Sequence, residues 1–344
     1  MANPTAQTRS FDISRDALAF TRDAIITRIF DAQFDHSPTL AMVFGRLLNA
    51  DFGGVPLNGA FKDTQTGGES ITHRVNLGSN STAKTLSGPF DTVTTDPSDT
   101  VRNGWANWKH YSAVVTVSDA ELLMNTGDTA ISSLLEFETT NAIRSLADLV
   151  GDHLYQTGAG GTAITGIPTL INANNTADNI AQGTYAKWGS RGVSARNTAA
   201  GSVSFASGSF AAQGIADMRT AWLGCSEGAI QPRVITTTYP IFAFYEGSLQ
   251  PQERFTSTTT ADGGFQQLMF KGAPVFPDVK VATQQMFFLN PEYLKVRVLG
   301  GADFTAKPFI EAEQQEAVLS KIMLKCNTIV LDRRFGNKLT GITA

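Results

Sequence analysis

Between two alternating segments lies a stretch that no compact domain easily absorbs. Gly78–Gly104, GSNSTAKTLSGPFDTVTTDPSDTVRNG, is 27 residues of mostly Ser, Thr, Asp and Gly with almost nothing to bury. A loop of that length without its own core weighs against a simple globular arrangement. On its N-terminal side ESITHRVNL (Glu69–Leu77) places Ile71, Val75 and Leu77 on one face and Thr72, Arg74 and Asn76 on the other. On its C-terminal side WANWKHYSAVVTVS (Trp105–Ser118) alternates through Tyr111, Ala113, Val115 and Val117. Both read as strands. A two-stranded hairpin is marginal by itself, so this pair is expected to project from the body and lie on something else, a neighbouring subunit first of all; a disordered surface loop is the alternative reading. Trp105, Trp108, Tyr111, Ile71, Val75, Leu77 and Lys84 are its candidate interface residues.

The next segment is the opposite in character. Asp128–Gly158 carries Ile131, Leu134, Leu135, Ala142, Leu146, Leu149, Val150 and Leu154 at helical spacing, a broad apolar stripe. Asp128 can cap its start, and the glycines at 158, 160 and 161 stop it. About 28 residues at ~1.5 Å each give a rod of ~42 Å, a spine rather than an ordinary helix. It is too polar to cross a membrane, and no run of ~20 apolar residues occurs anywhere.

N-terminal to the hairpin, a polar arm (1–13) leads into a helix from Ser14, and LAMVFGRLL (Leu40–Leu48) reads as a short helix or extended arm. After the spine, SDAELLMNTG having formed a short helix before it, ITGIPTLI (Ile164–Ile171) reads as a turn and a strand. Asn172–Ser209 is a loop-rich insertion with Tyr185 and Trp188 as anchors. An α/β block follows: a helix over FAAQGIADMRTAWLG, a strand RVITTT, a helix opened by Pro240, short strands around a turn at Gly272, and the strand MFFL. DFTAKPFI is extended, and Ala317–Phe335 is expected to make two strands broken near Lys325–Asn327, with Gly336-Asn337 a turn.

Composition bounds the function. At 42% hydrophobic and 17% charged the 344 residues can bury a sizeable core. A net charge of −4 excludes a basic nucleic-acid surface as the organising feature. Cys225 and Cys326 form no CxxC pair and read as buried thiols of a reducing compartment. MANPTAQTRS has no apolar signal core, so a soluble cytoplasmic product is expected. His36, His73, His110 and His153 stand apart from one another and from cysteine, and the Gly-rich Thr157–Gly166 lacks the lysine of a phosphate loop. No nucleophile–base–orienter set is legible, so no catalytic, cofactor or metal residue is assigned. The aspartates 91, 96 and 99 of the polar stretch leave a calcium site open without supporting one.

An arm, a long hairpin, a spine helix, an α/β domain and closing strands, in that order, resemble the major capsid proteins of tailed bacteriophages, with the Hong Kong ninety-seven-type shell fold. WKHYSAVVTVSDAELLMNTGDTAISSLLEFETTNAIRSLADLVGDHLY resembles the hairpin return strand and spine helix. YEGSLQPQERF, FKGAPVFPD and MFFLNPEYLKVRV resemble axial-domain elements, and FTAKPFIEAEQQEAVLSKIMLKCNTIVLDRR the closing peripheral strands.

The resemblance implies an α+β phage-capsid shell fold divided as follows: an N-terminal arm with helix (1–58), an extended β-hairpin loop (59–111), a peripheral domain with the spine helix (112–163), an axial α/β domain (164–302) and closing strands of the peripheral domain (303–344). It implies a structural protein and not an enzyme. The copies would self-assemble as pentamers and hexamers into an icosahedral shell that encloses double-stranded DNA without binding it specifically. Implied partners are a separate scaffolding protein, a portal and a decoration protein, with no membrane and no cofactor; the place is the virion, assembled in the bacterial host cytoplasm. Some family members join a loop lysine to a neighbour's asparagine; Lys84, Asn327 and Asn337 are the residues here, and nothing in the sequence pairs them. The alternatives are an encapsulin-type nanocompartment shell, which the Asn172–Ser209 insertion disfavours, an enzyme with an unrecognised axial-domain site, and a surface adhesin, which the lack of a signal core disfavours.

Overall fold

The computed structural model describes residues 37–44, 57, 59–88, 90–93, 95–97, 100–120, 128–156, 161–172, 176–181, 184–185, 188, 203–204, 210–253, 268–312 and 315–342. The helix expected from Ser14 and most of SDAELLMNTG lie outside them. In chain order the elements begin with helix α1 (Pro38–Phe44) and strands β1 (Lys62–Gln65), β2 (Ser70–Asn76), β3 (Val101–Asn107) and β4 (Lys109–Ser118). Helix α2 (Asp128–Tyr155), the single turn α3 (Ile167–Leu170), β5 (Val203–Ser204), α4 (Phe210–Gly224), β6 (Val234–Thr237) and α5 (Tyr239–Glu253) follow. Then come β7 (Met269–Phe270), β8 (Ala273–Pro277), β9 (Gln285–Leu289), β10 (Leu294–Leu299), β11 (Thr305–Ala306), β12 (Ile310–Glu311), β13 (Ala317–Val330) and β14 (Asn337–Thr340). The described residues divide into two compact units: those within 110–150 and 299–325 form one, those within 37–109, 151–298 and 326–342 the other. The hairpin therefore groups with the unit that contains 151–298.

In the first unit β11 and β12 both run antiparallel to β13, with Thr305 opposite Met323 and Ile310 opposite Leu319. Ser320 Oγ donates to the Lys307 carbonyl between them at 2.7 Å. β4 also pairs with β13. Alternation along β4 buries Tyr111, Val115 and Val117 as expected. On α2 the inward stripe is Leu146, Ala147 and Val150. Leu149, placed on that stripe by its spacing, is instead 43% exposed: a step of three from Leu146 rotates by ~300°, and here the face turns toward Ala147.

The second unit is built on a six-stranded sheet of order β5-β14-β9-β6-β8-β7. β6 sits inside it, parallel to β8 and antiparallel to β9, and all four of its residues are buried, as a strand covered on both faces must be. Met218 and Trp222 of α4, Ile241 and Tyr245 of α5, and Ile235, Val275 and Phe288 of the sheet form one apolar cluster. The β7–β8 turn is as expected: Lys271 and Gly272 have φ of 48° and 86°, the pair of positive values that a two-residue hairpin turn needs.

Three expectations are corrected. ITGIPTLI makes the helical turn α3, not a strand, because Pro168 sits at its start, where its missing N–H costs nothing. Ala317–Val330 is one strand, not two. Its alternation ends near Cys326 because every residue from Cys326 to Val330 is buried, so the change marks two-sided burial rather than a break. Asn337 opens β14 instead of completing a turn, after a short helical turn at Arg333–Phe335.

Helix α1, read as part of an arm, is embedded in the second unit. Leu40, Ala41, Met42, Val43 and Phe44 are all buried, and burial of the four larger side chains is worth on the order of 6–12 kcal/mol before ordering costs. Seven residues would not hold a helix alone. Gly151 of α2 makes room for it: a Cβ there would lie 2.8 Å from Leu40 Cδ1. The start of α1 is held by a remote carboxylate. Asp278 Oδ2 accepts from Ser37 Oγ at 2.6 Å and from the Thr39 N–H at 3.2 Å, a negative charge where the helix N-terminus favours one. Thr39 Oγ1 meets the Tyr155 hydroxyl at 2.8 Å, which donates onward to Thr236 Oγ1 at 3.0 Å. Burial first, and then the Asp278 charge, hold the Tyr155 phenol well above its ordinary range. Asp278→Ala strands two buried donors, so unfolding in urea should show a loss of about 2–4 kcal/mol. Asp278→Asn, which keeps one acceptor oxygen, should lose clearly less; equal losses would show that the donors are not what Asp278 serves.

Candidate assembly hairpin and its anchorage

Among the described residues β2 and β3 pair only with each other, from Ser70 opposite Asn107 to Asn76 opposite Val101. The expected single strand Trp105–Ser118 is two: β3 belongs to this ribbon, β4 pairs with β13, and the break falls at Trp108. The ribbon also begins at Val101 rather than after Gly104, so the connection it spans is shorter than the polar composition suggested. Among its described residues the connection carries side-chain bonds of its own. Asn80 Oδ1 accepts from the Thr82 N–H and Oγ. Asp91 accepts from the Ser87 N–H at 3.2 Å and from Lys84 Nζ at 3.2 Å, and these donors, Ser87 first, hold its carboxyl below the usual range. Asp96 is exposed and Asp99 lies outside the described residues. Among the described residues no group of three or more His, Cys, Asp or Glu is placed to hold a metal ion.

The seven candidate interface residues separate clearly. Ile71 and Val75 are buried in the chain itself, Ile71 in a cluster with Ala106 and Ile329, and Tyr111 is buried too. These three therefore hold the strands and have no surface left to present. Trp105 is 41% exposed, Leu77 and Trp108 are half-buried, and Lys84 is exposed at the tip. Trp108 donates through Nε1 to the Gly68 carbonyl at 3.0 Å. Asn327 and Asn337 are buried with both ends of their amides engaged. Asn327 accepts from the Thr165 N–H and donates to the Asn107 carbonyl, while Asn337 donates to the Ala221 carbonyl and accepts from the Lys338 N–H.

Sequence reading missed what fixes the ribbon at its base. His73 points inward from β2, with its side chain 4% exposed. It crosses Gly104 of β3, where a Cβ would lie 2.6 Å from its Nε2. Its ring stacks on Trp188, centroids 6.4 Å apart, and its Nε2 lies 3.7 Å from Asp178 Oδ2, too far for a hydrogen bond. Both ring nitrogens are buried without a hydrogen-bond partner. Asp178 Oδ2 accepts from the Val330 N–H at 3.0 Å, and the Asp178 carbonyl takes the outward N–H of Trp105 at 2.9 Å. Arg333, fully buried, donates to the carbonyls of Leu170, Trp188 and Asn172. From β10, Arg297 binds Asp63 Oδ2 at 2.9 Å and the Thr72 carbonyl of β2 at 3.2 Å. One signal was readable: a glycine in a strand marks close approach from across the ladder, and the register puts His73 opposite Gly104.

Burial, and then the Arg297 charge, push the His73 imidazole down to about 4. Burial pushes the Asp178 carboxyl up to about 7, against the opposing pull of the Val330 N–H and Arg333. Arg333 itself is lowered to about 10 by burial, opposed by Asp178, and stays charged at neutral pH.

No family model matches the chain, and no curated protein matches it in sequence. Solved structures do match. The capsid asymmetric unit of cyanophage A-1(L) aligns over 94% of this chain and 97% of its own, with a TM-score of 0.63 at 14% identity. A chain from Mycobacterium phage Bobi covers 94% and 97%, with a TM-score of 0.55 at 9% identity. The holo-SrpI encapsulin complex of Synechococcus elongatus covers 94% and 95%, with a TM-score of 0.51 at 12% identity. The chain has the capsid shell fold. It is the α+β fold that the order of elements in the sequence led us to expect, and phage capsids and an encapsulin share it.

Within this shell fold the His73–Asp178 pair gives a pH test of the hairpin's base. Unfolded, the two groups titrate near 3.8 and 6.5; folded, near 7 for Asp178 and 4 for His73. Between about 4 and 6.5 the unfolded chain keeps the proton on His73 and the folded chain keeps it on Asp178. Folding then takes up no net proton, and the pair adds no slope. Asp178→Asn leaves only the depressed histidine, so stability should fall as pH drops from 6.5 toward 4. His73→Gln leaves only the raised carboxyl, so stability should fall as pH rises from 4 toward 7. Each slope is at most ~1.4 kcal/mol per pH unit. Urea unfolding at three pH values reads both; two variants that parallel the wild type would refute the assignment.

Proposed function

We propose that this is the structural major capsid protein of a tailed bacteriophage, a protein whose activity is self-assembly into an icosahedral shell around double-stranded DNA. The observation that carries this reading is the hairpin. Its base is buried and bonded, yet beyond the base it presents apolar side chains to solvent: Phe90 is 97% exposed, and Leu86, Val93 and Val101 are exposed as well. Gathered on one projecting ribbon whose other face is fixed to its own unit, such residues suit contact with a partner. A second copy of the chain is the occupant that suits them, because each copy offers the same arm and heterologous contacts of this kind close into rings. The capsid shell fold supports the same reading.

The copies would form pentamers and hexamers, with interfaces of a standard ~1,600 Å² or less. We read the chain as a structural protein without enzymatic activity, resident in the virion shell after assembly in the host cytoplasm, with a separate scaffolding protein, a portal and a decoration protein as further partners. A net charge of −4 suits a wall that faces packaged DNA without holding it. An encapsulin-type compartment is the second reading, since an encapsulin shares the fold; copurification of an enzyme cargo rather than DNA would favour it.

Replacing Ser79–Asp99 with an Asn-Gly turn keeps both paired strands and removes the projecting tip. We expect a folded subunit that no longer closes uniform particles in negative-stain electron microscopy, where the intact chain does. Normal particles from the shortened chain would sink the role assigned to the hairpin.

A further inference from the structure

We propose that Asp178, Tyr185 and Trp188, from the loop-rich insertion, form a brace that sets the direction in which the hairpin leaves its unit and thereby the angle at which neighbouring copies join. The second half of this inference rests on the shell reading above; the first half does not.

The brace touches both strands of the ribbon by different means. On β2, Trp188 backs the His73 ring, with centroids 6.4 Å apart and planes 30° from parallel. On β3, the Arg102 guanidinium lies 5.7 Å from the centre of the Tyr185 ring. Also on β3, the Asp178 carbonyl takes the Trp105 N–H, a donor that faces away from β2 and would otherwise be the open edge of the ribbon. The brace is in turn fixed to the body. Asp178 and Asn179 occupy a two-residue turn with φ of 49° and 61°, closed by paired Ala177 and Ile180 hydrogen bonds. The Asp178 carboxyl is tied to Val330, Trp188 Nε1 donates to the Ala177 carbonyl, and Arg333 holds the Trp188 carbonyl.

Position matters here because a two-stranded ribbon bends and twists easily. Seven residues of strand reach about 24 Å, so a 10° change at the base moves the far end by about 4 Å. That shift is enough to lose a side-chain contact with a neighbour. Three contacts on two strands define a direction; the paired hydrogen bonds of β2 and β3 alone do not.

Hydrogen–deuterium exchange on the unassembled subunit tests the brace. Trp188→Ala should raise exchange in β2 and β3 at least 10-fold. Tyr185→Ala, a milder change at a half-buried residue, should raise exchange a few-fold within β3. In both, Gln285–Leu289 of the six-stranded sheet serves as the fold control. A local rise in the hairpin with a steady control in either variant supports the brace. Unchanged hairpin exchange in both, or a rise matched by the control wherever one occurs, overturns it. Where the wild type closes shells, Tyr185→Ala should broaden their diameters; a loosened hairpin with shells of one unchanged size overturns the link to curvature. If the wild type forms no shells even with its neighbouring genes supplied, the shell reading fails and the exchange result still decides the brace.

Discussion

A two-stranded ribbon satisfies only the hydrogen bonds between its strands, and its outer edges and one face must find partners elsewhere. β2 and β3 are in that position, and much of the second unit's buried polar chemistry answers to it. The outward N–H of Trp105 goes to Asp178, the Thr72 carbonyl goes to Arg297, and the Asn107 carbonyl goes to Asn327. The inner face is filled by Ile71, Val75 and His73, with Gly104 absent of a side chain so that the imidazole can lie across it. Each of these backbone groups would be costly to bury unpaired. Placed together they make a base stiff enough to carry a tip that has only local bonds of its own.

The same economy of charge appears at the other buried polar centre. Ser37 and Thr39 donate to the Asp278 carboxylate, and Thr39, Tyr155 and Thr236 continue from it as a chain of hydroxyls; at the hairpin's anchorage the fully buried Arg333 likewise donates to three backbone carbonyls. Directional bonds to backbone fix position more tightly than a surface ion pair, which is screened and worth little. With only 17% charged residues, the chain has few ion pairs to spend on its interior. It uses hydroxyls and amides to tie remote segments, such as α1, to the sheet.

Much of this was legible. The period-two pattern located β2 and β4, the 3.6 period located α2 and α4, and Gly272 located a turn. What failed did so for identifiable reasons. Alternation reports one-sided burial, so it vanished where Cys326–Val330 is covered on both faces, although the strand continues. A continuous run through Trp108 hid a change of partner, because two strands that follow one another directly share one pattern. ITGIPTLI was read as a turn and a strand, although Pro168 suits the first turn of a helix. Apart from Gly104, the anchorage at His73 left no sequence signal, because Asp178, Trp188 and Arg333 lie far from His73 in sequence and each is unremarkable alone. Candidate interface residues were taken from the whole projecting hairpin, which does not separate an inward Ile71 from an outward Trp105; only the face of the ribbon does.

Stiff base and spare tip together suit a part that must meet more than one neighbour geometry. The apolar residues beyond the base stand singly along the arm, so each contact they make is modest and readily remade. On the shell reading proposed above, affinity would come from the number of arms engaged at once and not from any one of them. A large continuous apolar face would bind more strongly, but it would also bind in one geometry and would bind unassembled copies to one another without order. Isolated apolar contacts on a directed arm avoid both outcomes, and they do so only if the arm's direction is fixed by something other than the contacts themselves. Burial of His73 between Gly104 and Trp188, inside the arm's own unit, supplies that independence.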